Sequence, residues 1–159
     1  MQKIDATVKT PEVILDFDNG SIFIRGISIS ENPRAFYEPI FVAIDKYLSN
    51  PKSSTTVNFD LEYFNSSSAI MIRDIIRRFE GHAVGPTCTV KWFHDNDDHG
   101  IRNSGLEFQN IFEGIKFEIV GLDREGWLFG SVSLWIEVAI LVMNCREQKL
   151  PRRPEDTKV

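Results

Sequence analysis

Three consecutive serines, Ser66, Ser67 and Ser68, follow Asn65 between a β-type alternation and a run of Ile72, Ile75, Ile76 and Phe79 at helical spacing. Three hydroxyls therefore stand where a strand ends and a helix begins. The first backbone N–H groups of a helix have no partner within it, and the helix dipole puts its positive end there. A phosphate attached at such a point is stabilised by those amides, with the nearby guanidinium of Arg73 as a further partner, and it changes the local charge by nearly two units. The chemistry on offer is acceptance of a phosphoryl group, which suits a switch. Serine and asparagine are equally the residues that cap helices, so the pattern alone does not separate capping from phosphorylation.

A second group, His94, Asp95, Asp97, Asp98 and His99, offers imidazole and carboxylate oxygen as metal ligands. Its spacing fits no zinc or calcium template, and a solvated acidic loop is the competing reading. GxSxG, P-loop, HExxH and GxGxxG patterns are absent from the sequence. Enzymatic readings therefore have no motif behind them, and no catalytic residue, metal or other cofactor is expected.

The elements that must position the serines are legible from periodicity. Val13, Leu15 and Phe17 alternate with polar or opposite-facing positions, Asn19-Gly20 intervenes, and Ile22, Ile24 and Ile27 follow. This predicts strands near 12–17 and 21–28 joined by a type I′ turn, which needs positive φ at both central residues. Asn32 before Pro33 reads as an N-cap with proline at the first helical position, and Phe36, Tyr37, Ile40, Phe41, Ile44 and Leu48 continue the helix. Pro39 predicts a kink or a late start. Thr55 to Phe64 is the clearest strand, with Val57, Phe59, Leu61 and Tyr63 assigned to one face. A helix from about Ser67 to Glu80 follows. Thr87 to Phe93 reads as a strand, His94 to Gly105 as a polar loop, Leu106 to Phe112 as a short helix and Lys116 to Val120 as a last strand.

Length and composition bound the rest. The 159 residues suit one ordinary domain with a terminal extension, and 42% hydrophobic and 26% charged residues are those of a soluble globular protein. A net charge of −5 argues against a nucleic-acid partner, which would call for a basic face. The two cysteines, Cys88 and Cys145, form no CxxC and no Cys/His array. Met1 to Thr10 lacks the apolar core of a signal peptide, so a cytoplasmic location is expected.

The segment Asp60-Leu61-Glu62-Tyr63-Phe64-Asn65-Ser66-Ser67-Ser68 resembles the LEYFNTSS signature of the SiaC family of bacterial regulatory phosphoproteins. Thr10-Pro11 with Leu15-Asp16-Phe17, Gly26 through Ser30-Glu31-Asn32, Phe36-Tyr37-Glu38-Pro39 and Val90-Lys91-Trp92-Phe93 resemble further motifs of that family in the same order. The resemblance implies a non-enzymatic partner switch for cyclic di-GMP signalling and biofilm control. In such modules a cognate Ser/Thr kinase phosphorylates the residue after the asparagine, a position that corresponds to Ser66 here, and a PP2C-type phosphatase removes the phosphate. The unphosphorylated form binds and activates a diguanylate cyclase. The family's usual threonine is serine here, and Asn103-Ser104 replace acidic or bulkier residues before Gly105.

The fold expected is therefore α/β: a mixed β-sheet, with an N-terminal antiparallel hairpin feeding a parallel βαβ core, flanked by helices and broadly STAS-like. The partner surface is expected to include Asn65, Ser67 and Ser68 at the junction and Arg73, Arg77 and Arg78 on the helix. A second reading is an anti-anti-sigma-like antagonist that binds an anti-sigma kinase. The regulatory domain is expected over 1–120 and a C-terminal extension over 121–159. The extension's apolar segment, 127–143, is near the lower limit for a membrane span. Glu137 near its centre would cost about 2.5–3.5 kcal/mol on insertion scales, so packing is expected and a membrane anchor is not.

Overall fold

The computed structural model describes residues 1–81 and 87–123, which lie within one compact unit, Met1–Asp123. In chain order the elements are β1 (Gln2–Ile4), β2 (Glu12–Asp16), β3 (Ser21–Ser28), α1 (Pro33–Leu48), β4 (Ser54–Phe64), α2 (Ser66–Gly81), β5 (Thr87–Asp95), α3 (His99–Ile111) and β6 (Lys116–Leu122). The strands form one sheet in the order β1-β2-β3-β4-β5-β6. β1, β2 and β3 pair antiparallel, and β3 through β6 pair parallel, each step made by a helical crossover. The mixed sheet expected from the sequence is the one observed. Among the described residues no helix is long and apolar enough to cross a membrane, and the segment 127–143 lies outside them.

The register lines up Val13, Leu15, Ile22, Ile24, Val57, Phe59, Val90 and Trp92 on the face that meets the helices, all of them buried. From the helices, Tyr37, Ile40 and Ile44 of α1 and Ile72, Ile75, Ile76 and Phe79 of α2 complete this core. α1 runs through Pro39 as one helix. Both Pro39 and Ala35, whose carbonyl loses its usual donor, are exposed, so water can take the place of the missing bond.

Four further local features differ from the sequence reading. The β2–β3 connection is a four-residue loop, because Asp16 pairs with Ser21 and only Gly20 takes positive φ, at 63°. Asn19 instead donates from its side-chain amide to Asp16 at 2.7 Å. β1 carries no readable alternation and owes its place to pairing with β2. The polar loop after β5 is mostly helix: Asp98 caps α3 by accepting from the Ile101 amide at 2.9 Å, and burial of Ile101 and Phe108 outweighs the two glycines that weaken the local helix preference. The fourth correction concerns Tyr63 and belongs with the site.

β1 is held partly by charge. Glu12, buried on β2, accepts from Lys3 at 3.0 Å and from Arg25 on β3. Burial pushes the Glu12 carboxyl up, but the hydrogen bonds and charges of Lys3 and Arg25 outweigh it and hold the group below its ordinary value of 4.5. A depressed folded-state value contributes stability above the unfolded value, and this is lost as pH falls through the folded one. An acid titration of Tm should therefore fall away below pH 4.5, and Glu12→Gln should flatten that limb. An unchanged acid limb in the variant would remove Glu12 as a source of the loss.

Candidate functional site

The candidate site is the junction between β4 and α2. Along β3 and β4 the register runs Ile24↔Phe59 and Gly26↔Leu61, then jumps to Ile27↔Tyr63 and Ser28↔Phe64. Glu62 is the extra residue, a β-bulge opposite Gly26, whose φ of 96° admits glycine readily. A bulge reverses the in–out alternation beyond it. Phe64 therefore turns inward and meets Trp92 edge to face, with ring centroids 5.9 Å apart, while Tyr63 turns outward and is 60% exposed. The expectation that Tyr63 shares the face of Val57, Phe59 and Leu61 is overturned by this one inserted position.

The bulge also sets the phase of Asn65. Its amide donates to the Ser28 carbonyl at 3.1 Å, its side-chain oxygen accepts from the Ser68 amide at 2.9 Å, and its carbonyl accepts from the Ala69 amide at 2.9 Å. Asn65 is thus the N-cap of α2, and the serines fill the first three helical positions. Ser66 and Ser67 are exposed. Ser68 is fully buried, and its hydroxyl has no hydrogen-bond partner among the described residues. Asn65→Ala should cost about 1 kcal/mol, read as a fall of roughly 3–4 °C in Tm. A melting curve identical to that of the unaltered protein would show the cap to be dispensable.

Ser28 ties this junction to α1. Its hydroxyl is 2.9 Å from the Tyr37 hydroxyl, and both groups are buried. Burial pushes the Tyr37 phenol up to about 12, against a smaller lowering by the Ser28 bond, so the phenol stays neutral. Parallel strands bring the starts of all three helices to one edge of the sheet. Asn32 caps α1 by accepting from Ala35 at 3.2 Å, Asn65 caps α2 and Asp98 caps α3. The positive ends of three helix dipoles therefore share the carboxyl edge of the strands, where open α/β sheets carry their binding sites.

The structure brings Asn65, Ser66 and Ser67 together at this edge and turns Ser68 away from it. Ser66, Ile70, Arg73 and Arg77 follow one stripe of α2, but Arg73 and Arg77 lie about 10 Å and 16 Å further along the axis at 1.5 Å rise per residue. Arg73 has its outer nitrogen 3.5 Å from Asp74, and its Nε is buried without a partner among the described residues. Arg77 is exposed. Arg78 is committed elsewhere: it donates to Asp45 at 2.9 Å and to the Asp74 carbonyl at 3.0 Å, and it lies 4.1 Å over the Phe41 ring. It joins α2 to α1. Tyr63, Ser28 and Tyr37 are members of the site region that sequence periodicity did not reveal, and the glycine opposite the bulge, Gly26, is distant in sequence and meets β4 only once the strands pair.

The histidine and aspartate group separates into other roles. His94 is buried with its ring nitrogen 2.8 Å from the Asp95 carbonyl, Asp98 caps α3, and His99 is exposed at the first turn. Among the described residues no three such groups are placed to hold a metal ion.

The site is thus an exposed hydroxyl at a capped helix N-terminus on a small α/β domain. The family model described as "SiaC family regulatory phosphoprotein" matches residues 4–122. This chain belongs to the SiaC family. It is 23% identical over 107 residues to an uncharacterised protein of Pseudomonas aeruginosa strain UCBPP-PA14, covering 67% of this chain and 85% of that one. Its fold matches a chain in the crystal structure of the diguanylate cyclase SiaD in complex with its activator SiaC from Pseudomonas aeruginosa, at TM-score 0.72 and 22% identity, covering 77% of this chain and 100% of that chain. Apo-SiaC from the same organism matches at TM-score 0.68 and 23% identity, covering 76% of this chain and 99% of that chain.

Proposed function

We propose that this protein is a non-enzymatic partner switch in which Ser66 is the phosphorylated residue. Unphosphorylated, it binds and activates a diguanylate cyclase; a cognate Ser/Thr kinase adds the phosphate and a PP2C-type phosphatase removes it. The observation that carries this reading is the exposure of Ser66 at the first helical position behind the Asn65 cap, in a chain of a family described as regulatory phosphoproteins. A kinase needs an accessible hydroxyl, and Ser66 offers one on a rigid element whose amides and dipole favour the product. Ser68 is closed to modification by its burial. A likeness to a fold seen in a complex of SiaD with its activator SiaC supports a cyclase as the partner class.

The test is to incubate the protein with the kinase of its own host and map the product by peptide mass spectrometry, then add each form to the host's cyclase and follow cyclic di-GMP formation. One phosphate on Ser66, with activation by the unmodified form alone, is expected. Phosphate confined to Ser53 or Ser54, or equal activation by both forms, would overturn the proposal.

A further inference from the structure

The bulge at Glu62 puts an aromatic ring where strand alternation would not. Thr55, Val57, Phe59 and Leu61 of β4 all face the core, and the next position in that series is Tyr63. The inserted residue sends Phe64 inward instead and leaves Tyr63 60% exposed, beside the partly buried Ile27 that pairs with it on β3. Among the described residues Tyr63 is the one aromatic in the set of exposed large apolar side chains. The strand thus interrupts its own ladder and leaves one of its rings in water. Bulges that re-aim a side chain in this way collect beside functional sites.

We infer that Tyr63 is the anchor on which the diguanylate cyclase seats, inserting its ring into an apolar recess of the cyclase that also holds an acceptor for the phenol. This inference rests on the reading of Ser66 as the switch, and position connects the two. Tyr63 is three residues before Ser66, so their Cα atoms are within about 10 Å even along a fully extended chain. A partner large enough to enclose the ring also crowds the Ser66 hydroxyl. Tyrosine suits the role: it carries a large apolar area on few rotatable bonds, with a polar tip that satisfies one buried partner, and it is enriched among the residues that dominate interface energetics. A phosphate beside such an anchor must be desolvated or must keep the partner off it, which links occupancy of the recess to the state of Ser66.

The experiment is calorimetric titration of the full chain into the host's cyclase, for the unaltered protein and for Tyr63→Ala, Tyr63→Thr and Tyr63→Phe, with a melting curve for each. Threonine keeps the strand preference and guards against a folding defect in the alanine variant. The expected result is binding at least tenfold weaker for Tyr63→Ala and Tyr63→Thr, a smaller but measurable loss for Tyr63→Phe, which keeps the ring and leaves the acceptor unpaired, and melting unchanged throughout. A Tyr63→Ala or Tyr63→Thr protein that melts normally and binds within threefold of the unaltered chain would overturn the anchor while leaving the Ser66 switch standing. Absence of cyclase binding by the unaltered, unphosphorylated chain would overturn the switch, and the anchor with it.

Discussion

Protein phosphorylated on Ser66 is expected to bind the diguanylate cyclase at least a hundredfold more weakly than the unmodified protein, a difference of about 2.8 kcal/mol. The phosphate brings between about −1.5 and −2 charges at pH 7 to a position now held by a neutral, exposed hydroxyl. An acidic cyclase patch that faces the exposed Arg77 and the half-buried Arg73 of α2 would be repelled by it, and closing an interface over a dianion adds a desolvation cost. The domain itself should not suffer, because the phosphate sits at the positive end of a capped helix, where a negative charge contributes about 0.3–1 kcal/mol of stability. Calorimetry should therefore show lost affinity while the melting temperature holds or rises. Ser66→Ala should bind as the unmodified protein does. Ser66→Asp should fall between, since one carboxylate charge imitates the phosphate poorly. Equal affinities of the phosphorylated and unmodified proteins would refute the switch.

Gly105→Ala is expected to destabilise the domain by about 2–3 kcal/mol, against the sign that helix propensity alone would give. Gly105 lies in α3 where the helix presses on β5, and a Cβ built there would stand 2.4 Å from Trp92 Cδ1 and 2.7 Å from Cγ. The indole has no room to move away. It is fully buried, donates from Nε1 to the Ile101 carbonyl at 2.9 Å, and packs against Phe59, Phe64 and Phe108. Either α3 lifts from the sheet or Trp92 loses that bond. Replacing glycine by alanine in an unhindered helix instead gains about 0.8–1 kcal/mol. Gly81→Ala is the control, because a Cβ at Gly81 meets nothing within 4 Å among the described residues. Thermal or urea unfolding decides the matter: a Gly105→Ala protein as stable as the unaltered one would show that the α3–β5 contact relaxes without cost.

Much of the fold is legible along the chain because its signals are local. The alternation in β2, β3 and β5, the Asn32-Pro33 start of α1, and the Asn65 boundary followed by Ile72, Ile75, Ile76 and Phe79 need only their own neighbours to be read. The serine cluster is visible for the same reason. β1 and the first turns of α3 are not legible. Three residues of β1 hold no period, and their stability comes from pairing with β2 and from the Lys3–Glu12 contact. In α3 two glycines mask a helix whose stability comes from the Asp98 cap and from burial against the sheet.

The sequence by itself determined that a hydroxyl-rich helix start follows a strand, that the chain alternates strand and helix through its middle, and that the result is a mixed sheet, since one hairpin and several crossovers permit little else. Ser68 falls on the buried stripe of Ile72 and Ile75 by the helical period itself, but only the tertiary structure decided which of Tyr63 and Phe64 enters the core and which arginine is tied down. Tyr63 is outside because Gly26 and Leu61, far apart in the chain, pair one residue before the register slips. Arg78 is held because Asp45 and Phe41 come to it from another helix. Each of these outcomes is settled by contact energies between residues distant in sequence, and periodicity within one segment contains no term for them.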